Sequence, residues 1–196
     1  MSGRCILALV ATLALMPPAA ASPSLIAARE APPVAAWTAF CARQPAECRP
    51  AGGPDQVAQT ADLLELVDAV NAFVNRTVSP ITDAAQHGVV DLWQFPTAGR
   101  GDCEDYQLLK RRYLVEAGVP RRALPMTVVI DELGQGHAVL TVRTDKGDLI
   151  LDNKTFLVKR WDETNYTFVK READTATGWG FVEDRPEKAV VAAAQE

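Results

Sequence analysis

Positive charge is in short supply in this chain, and none of it forms a continuous basic stretch: 20 Lys and Arg face 25 Asp and Glu, for a net charge of −5. Arg111-Arg112 and Arg121-Arg122 are isolated pairs that read as solvated surface. Nucleic acid and anionic membrane surfaces are therefore poor partner candidates. There is no internal repeat, and no apolar run of membrane length. The run from Cys5 to Met16 falls short of the about 20 residues a spanning helix needs. Histidine is scarce, with only His87 and His137.

What is there begins with Met1 to Ala21, where Arg4 is the only charge, an apolar run follows, and Pro17-Pro18-Ala19-Ala20-Ala21 closes the stretch. This pattern predicts a secretory signal peptide over residues 1–21. A buried N-terminal helix fits less well, because no polar face interrupts the run. Removal of the signal takes Arg4 with it, so −5 becomes −6, and leaves Cys41, Cys48 and Cys103, an odd count for an oxidising compartment. Cys41 and Cys48 are close enough for a small disulfide loop, and a metal site there lacks further ligands. Cys103 is left as the free thiol.

A chain of 196 residues that is 48% hydrophobic and 23% charged is expected to fold as one globular domain. We place that domain at 36–185, between an Ala- and Pro-rich mobile N-terminal segment, 22–35, and a loose C-terminal end, 186–196. Pro50-Ala51-Gly52-Gly53-Pro54 marks a break. Val57, Ala61, Leu64, Val67, Val70, Phe73 and Val74 then recur at helical spacing, which predicts an amphipathic helix ending before Pro80. Residues 82–100 read as a loop. A second helix is predicted from Cys103 to about Ala117, with Tyr106, Leu109, Tyr113, Leu114 and Ala117 inward and Lys110 and Arg111 elsewhere, capped by Gly118. Strands are predicted at Met126 to Ile130, His137 to Arg143 and Leu149 to Asn153, joined as an antiparallel meander, with another at Tyr166 to Lys170. After Arg171 the signal weakens.

Three residues carry the chemistry. Cys103 sits where a helix begins, and the unpaired N–H groups and dipole there favour a thiolate, the nucleophilic form of cysteine. His137 and Asp152 supply a base and its orienting partner. Their meeting depends on the pleat: with Asp145-Lys146 at the centre of the turn, they become diagonal neighbours on one face, roughly 7–8 Å apart at the backbone. Singly, each is ordinary: a buried thiol, a satisfied core histidine, a strand-end cap. His87 has no nucleophile near it in sequence and is given no role.

Gly101-Asp102-Cys103-Glu104-Asp105, Gly136-His137-Ala138-Val139-Leu140 and Leu151-Asp152-Asn153 resemble the pattern of the bacterial transglutaminase-like cysteine proteinases. The Cys41/Cys48 segment and Trp161-Asp162-Glu163-Thr164 are similar to the same family. The resemblance implies an α+β, papain-like or transglutaminase-like fold, in which a helix bearing the nucleophilic Cys103 packs on an antiparallel sheet. It implies Cys103 as nucleophile, His137 as general base then acid, and Asp152 as the orienting carboxylate. It further implies a calcium-dependent periplasmic protease acting on a protein substrate such as a surface adhesin, under a membrane-anchored regulator. Its calcium ligands would include Asp102 and Glu104. The carboxylates of Asp102, Glu104 and Asp105 would raise the thiol's pKa if close to it, and a Ca²⁺ bound through oxygen ligands would neutralise them. The acids would otherwise simply complement the positive helix end. Trp93 or Gln94 is a candidate oxyanion donor. Competing readings are a transamidase built on the same triad and a non-catalytic calcium-responsive binding module.

Overall fold

A computed structural model of the chain describes residues 24–49 and 52–183. The expected signal peptide, 1–21, and the expected loose end, 186–196, lie outside the described residues. Among the described residues, no helix is long and apolar enough to cross a membrane.

In chain order the elements are β1 (Ala27–Glu30), α1 (Ala35–Arg43), α2 (Ala61–Thr77), β2 (Ser79–Pro80), α3 (Asp83–His87), β3 (Arg100–Gly101) and α4 (Cys103–Glu116), and then six strands. These are β4 (Met126–Ile130), β5 (Gly136–Val142), β6 (Leu149–Leu151), β7 (Lys159–Arg160), β8 (Thr167–Glu172) and β9 (Trp179–Val182). One sheet runs β1-β9-β8-β4-β5-β6-β7, with every neighbouring pair antiparallel. β2 and β3 form a separate parallel pair that brings the chain to the start of α4. This is the α+β arrangement expected from the sequence.

Alternation along the strands gives the sheet two apolar faces. Met126, Leu140, Val142, Leu149 and Leu151 meet Phe40 of α1, Leu63 and Val67 of α2, and Leu108 and Leu114 of α4. On the other face Val129, Val139 and Ile150 meet Leu25, Trp161, Tyr166 and Phe168. α2 starts at Ala61 rather than at Val57, because the Thr60 hydroxyl caps it by accepting from the Leu63 N–H at 3.1 Å. Its inward positions are Leu63, Val67, Asn71 and Val74. α4 ends at Gly118, whose φ of 94° suits a residue without a Cβ.

Several expectations are corrected. Part of the stretch assigned to a mobile N-terminus, 22–35, forms β1 on the sheet edge, with Leu25 and Ala31 buried beside it. β9, which the weak signal after Arg171 did not predict, is the strand that β1 pairs with. Residues 82–100 include α3, capped by the Thr82 hydroxyl. α4 buries Gln107, Lys110 and Arg111, whereas Ala117 is exposed, so its inward face is rotated from the apolar stripe. The reason is that α4 packs between the sheet and α2, so more than one face is covered. Arg111 is accordingly no surface residue. It pairs with Glu172 at 2.5 Å, while Arg112 and Arg121 bracket Glu47 at 2.8 and 3.1 Å. The Cys41–Cys48 disulfide is present, which leaves Cys103 as the free cysteine among the described residues.

Candidate active site

The β5–β6 hairpin sets the geometry. Leu140 faces Leu151 and Val142 faces Leu149, a register centred between Asp145 and Lys146, and the Gly147 N–H closes the turn onto the Thr144 carbonyl at 3.2 Å. Continued outward, the register makes His137 and Asp152 diagonal neighbours on one face. Their side chains meet: His137 Nε2 lies 2.9 Å from Asp152 Oδ1, and both residues are buried. Asp152 is also held by the Lys154 N–H at 3.0 Å and the Tyr166 hydroxyl at 2.5 Å. Burial alone would raise the Asp152 carboxyl, but the His137 contact and the other donors outweigh it, leaving the pKa below the ordinary value. With Nε2 committed to the carboxylate, Nδ1 is the nitrogen that can exchange a proton elsewhere.

Cys103 comes to this place from α4. The Thr141 N–H donates to the Pro125 carbonyl, so alternate residues of β5 turn their N–H groups to β4, and those between, Leu140 and Ala138, face the β6 side. β6 pairs only as far as Leu151. In the gap beyond it, the Ala138 N–H points to the Cys103 sulfur and favours the thiolate. The opposing influences are larger: burial first, then the negative charges of Glu104 and Asp102, push the thiol well above its ordinary range. The thiol itself donates to Glu104 Oε2 at 3.2 Å and makes no hydrogen bond to His137.

Around the thiol lies a cluster of five carboxylates. Oxygens of Asp83, Asp91 and Glu104 lie within 4.8 Å of one another, and so do those of Asp83, Asp102 and Asp105. Asp102 Oδ2 accepts from the Asp83 N–H at 3.2 Å, and Asp105 Oδ1 from the Gln94 N–H at 3.0 Å. Asp102 Oδ1 and Asp105 Oδ2 are buried and have no partner. No basic side chain pairs with any of the five among the described residues. Burial first, and repulsion from neighbouring carboxylates, push Glu104 up to about 9 and Asp105 up to about 8, while Asp91 and Asp102 are also raised. Gly101 makes room for this packing, since a Cβ there would lie 2.5 Å from Asp105 Oδ2. Asp83, Glu104 and Asp105 are buried, Asp102 is half-buried and Asp91 is exposed; hard oxygen donors this close together and short of positive charge suit a Ca²⁺ ion.

Asp102 and Glu104, the expected ligands, thus fall in two triplets that share Asp83. Asp83 and Asp91 were not foreseen. Their only local signal is the Thr82-Asp83 helix start, and nothing in sequence links them to Cys103. The Trp93 indole is turned to Asp91, and the Gln94 N–H is taken by Asp105, so both support the acidic cluster. His87 contacts the Gln94 amide at 2.6 Å.

An α+β fold that sets a helix-start thiol beside the strand carrying His137 belongs to the transglutaminase-like class of cysteine-dependent enzymes. Within that class, this chain is a member of the bacterial transglutaminase-like cysteine proteinases, whose family model matches residues 26–186. It is a cysteine peptidase. Among solved structures it is similar to Legionella pneumophila LapG. The calcium-bound form is 23% identical, with a TM-score of 0.52 over 71% of this chain and 83% of that one, and speaks to the fold alone. The EGTA-treated form is 27% identical, with a TM-score of 0.53 over 65% and 71%, and a further LapG structure is 26% identical, with 0.52 over 69% and 77%. A comparison with curated protein sequences finds no match.

Proposed function

We propose that Cys103, His137 and Asp152 are the catalytic triad of an exported peptidase that cleaves a periplasmic or cell-surface protein through an acyl-enzyme. The observation that carries this reading is the buried His137 Nε2–Asp152 Oδ1 pair, with the Cys103 sulfur against the backbone of the residue that follows His137. His137 Nδ1 takes the Sγ proton, and the thiolate attacks the scissile carbonyl carbon. The imidazolium returns the proton to the leaving amine as the C–N bond breaks, giving a thioester. Nδ1 then takes a proton from water, the hydroxide releases the acyl group as a carboxylic acid, and the thiol re-forms. Asp152 holds the ring in place and stabilises its charged form.

Calcium belongs to this reading. Asp102 and Glu104, with Asp83, Asp91 and Asp105, are the residues that would hold it. A bound Ca²⁺ would supply the positive charge that these crowded carboxylates lack. Glu104 would then turn to the cation and cease to hold the Cys103 proton, freeing the thiol for His137. The solution of LapG in calcium-bound and EGTA-treated forms accords with this. A surface adhesin as substrate, a membrane-anchored regulator and delivery to the periplasm by the 1–21 signal complete the proposal.

The experiment compares exported proteins from cells making the native enzyme and the Cys103→Ala variant, by mapping new peptide termini with and without a chelator. New termini that need Cys103 and calcium are expected. Incorporation of a labelled amine into glutamine donors without new termini would replace the peptidase reading with the transamidase one. No Cys103-dependent change of either kind would favour a binding module.

A further inference from the structure

We infer that Tyr166 is a positioning residue for the catalytic pair, acting through Asp152 rather than on the substrate. The inference rests on the triad reading above. Asp152 has its two oxygens divided: Oδ1 receives His137 Nε2 and the Lys154 N–H, and Oδ2 receives the Tyr166 hydroxyl at 2.5 Å. The same tyrosine ring stands edge-on to the imidazole, with centroids 5.7 Å apart and planes at 70°. One side chain therefore restrains both members of the pair. Tyr166 is 8% exposed and is anchored in the apolar layer of Val129, Val139 and Trp161, so its hydroxyl is held rather than free to wander. Phe at 166 would keep the ring contacts and lose only the donor.

A carboxylate gripped at both oxygens cannot rotate, so Oδ1 stays aimed at Nε2 and the orientation of the ring, and with it of Nδ1, is fixed. Without the hydroxyl, Asp152 is held at Oδ1 alone and its terminal torsion is less restrained, so the imidazole it orients is less well fixed. Other charged groups around Asp152 are Lys110 of α4, Lys154 after β6, and Asp131 and Glu132 between β4 and β5. None of them donates a side-chain hydrogen bond to Asp152; Lys154 Nζ is paired with Asp131.

The test is the pH profile of Cys103 alkylation by iodoacetamide in millimolar calcium, for native protein, Tyr166→Phe, Asp152→Ala and the double variant, with melting temperatures alongside. Tyr166→Phe is expected to slow alkylation about tenfold near neutral pH and move the profile roughly one pH unit upward, the worth of one hydrogen bond to a charged group. In the Asp152→Ala background the same change should do nothing further. An unchanged profile, with or without a lower melting temperature, would overturn the inference, and so would an equal effect in both backgrounds. Should Tyr166→Phe melt low, the profile is read at a temperature where its own unfolding curve shows it folded, and an unmoved profile there would overturn the inference. Failure of the triad reading is distinguishable, because His137→Ala would then leave the native profile where it is.

Discussion

Cys103 is pulled two ways. The first turn of α4 and the Ala138 N–H favour its thiolate, while burial, and after it the flanking carboxylates, favour the thiol, and these two together win. In chelator-treated protein above about pH 9, where Glu104 is ionised, Glu104→Gln should therefore react faster with iodoacetamide than native protein, because a negative charge beside the sulfur has gone. In calcium the variant should gain little further, because a ligand has gone too. Alkylation rates with and without calcium check both. Gly101 gives a second test at this scale. The Cβ of Gly101→Ala would displace Asp105, so overpacking should cost about 1–3 kcal/mol in thermal unfolding and weaken calcium uptake in titration calorimetry.

At the scale of elements, the starts of α3 and α4 press their acids together. Glu104 and Asp105 titrate at about 9 and about 8 in the folded chain, against ordinary values of 4.5 and 3.8. A raised folded value means stability that is complete below the ordinary range and lost as pH climbs through the folded value. The chelator-treated protein should thus melt at progressively lower temperature from about pH 5 to about pH 9, and calcium should raise the melting temperature more at the alkaline end. A calcium effect that shrinks with pH would contradict this. The opposite flank of α4 is tied to β8 by the pairing of buried Arg111 with half-buried Glu172. Glu172→Gln keeps the shape but leaves the guanidinium without its counter-charge. It should destabilise by about 3 kcal/mol, a fall of roughly 6–12 °C for a chain of this size.

Over the whole molecule, legibility in the sequence followed the range of the interactions. β4 has the bounds its apolar run implied, and α4 starts at Cys103 where Gly101 and the following periodicity placed it. The hairpin register centres on Asp145-Lys146, so the meeting of His137 with Asp152 was implicit in a local turn. What was missed is non-local. β1, on the sheet edge, and β9 beside it are short partners from opposite ends of the described chain, and neither carries a periodic signal long enough to read alone. Asp83 and Asp91 reach Glu104 only because the β2–β3 pair folds the 82–100 segment back on α4. The burial of Lys110 and Arg111 similarly reflects what packs around α4, which composition does not encode.

The central claim is that His137 activates Cys103. Its most direct measurement is the rate at which iodoacetamide modifies Cys103 near neutral pH in calcium, located by peptide mass, in native protein and in His137→Ala. A loss on the order of a hundredfold in the variant is predicted, the lower range for a positioned proton acceptor. Equal rates in the two proteins would contradict the account.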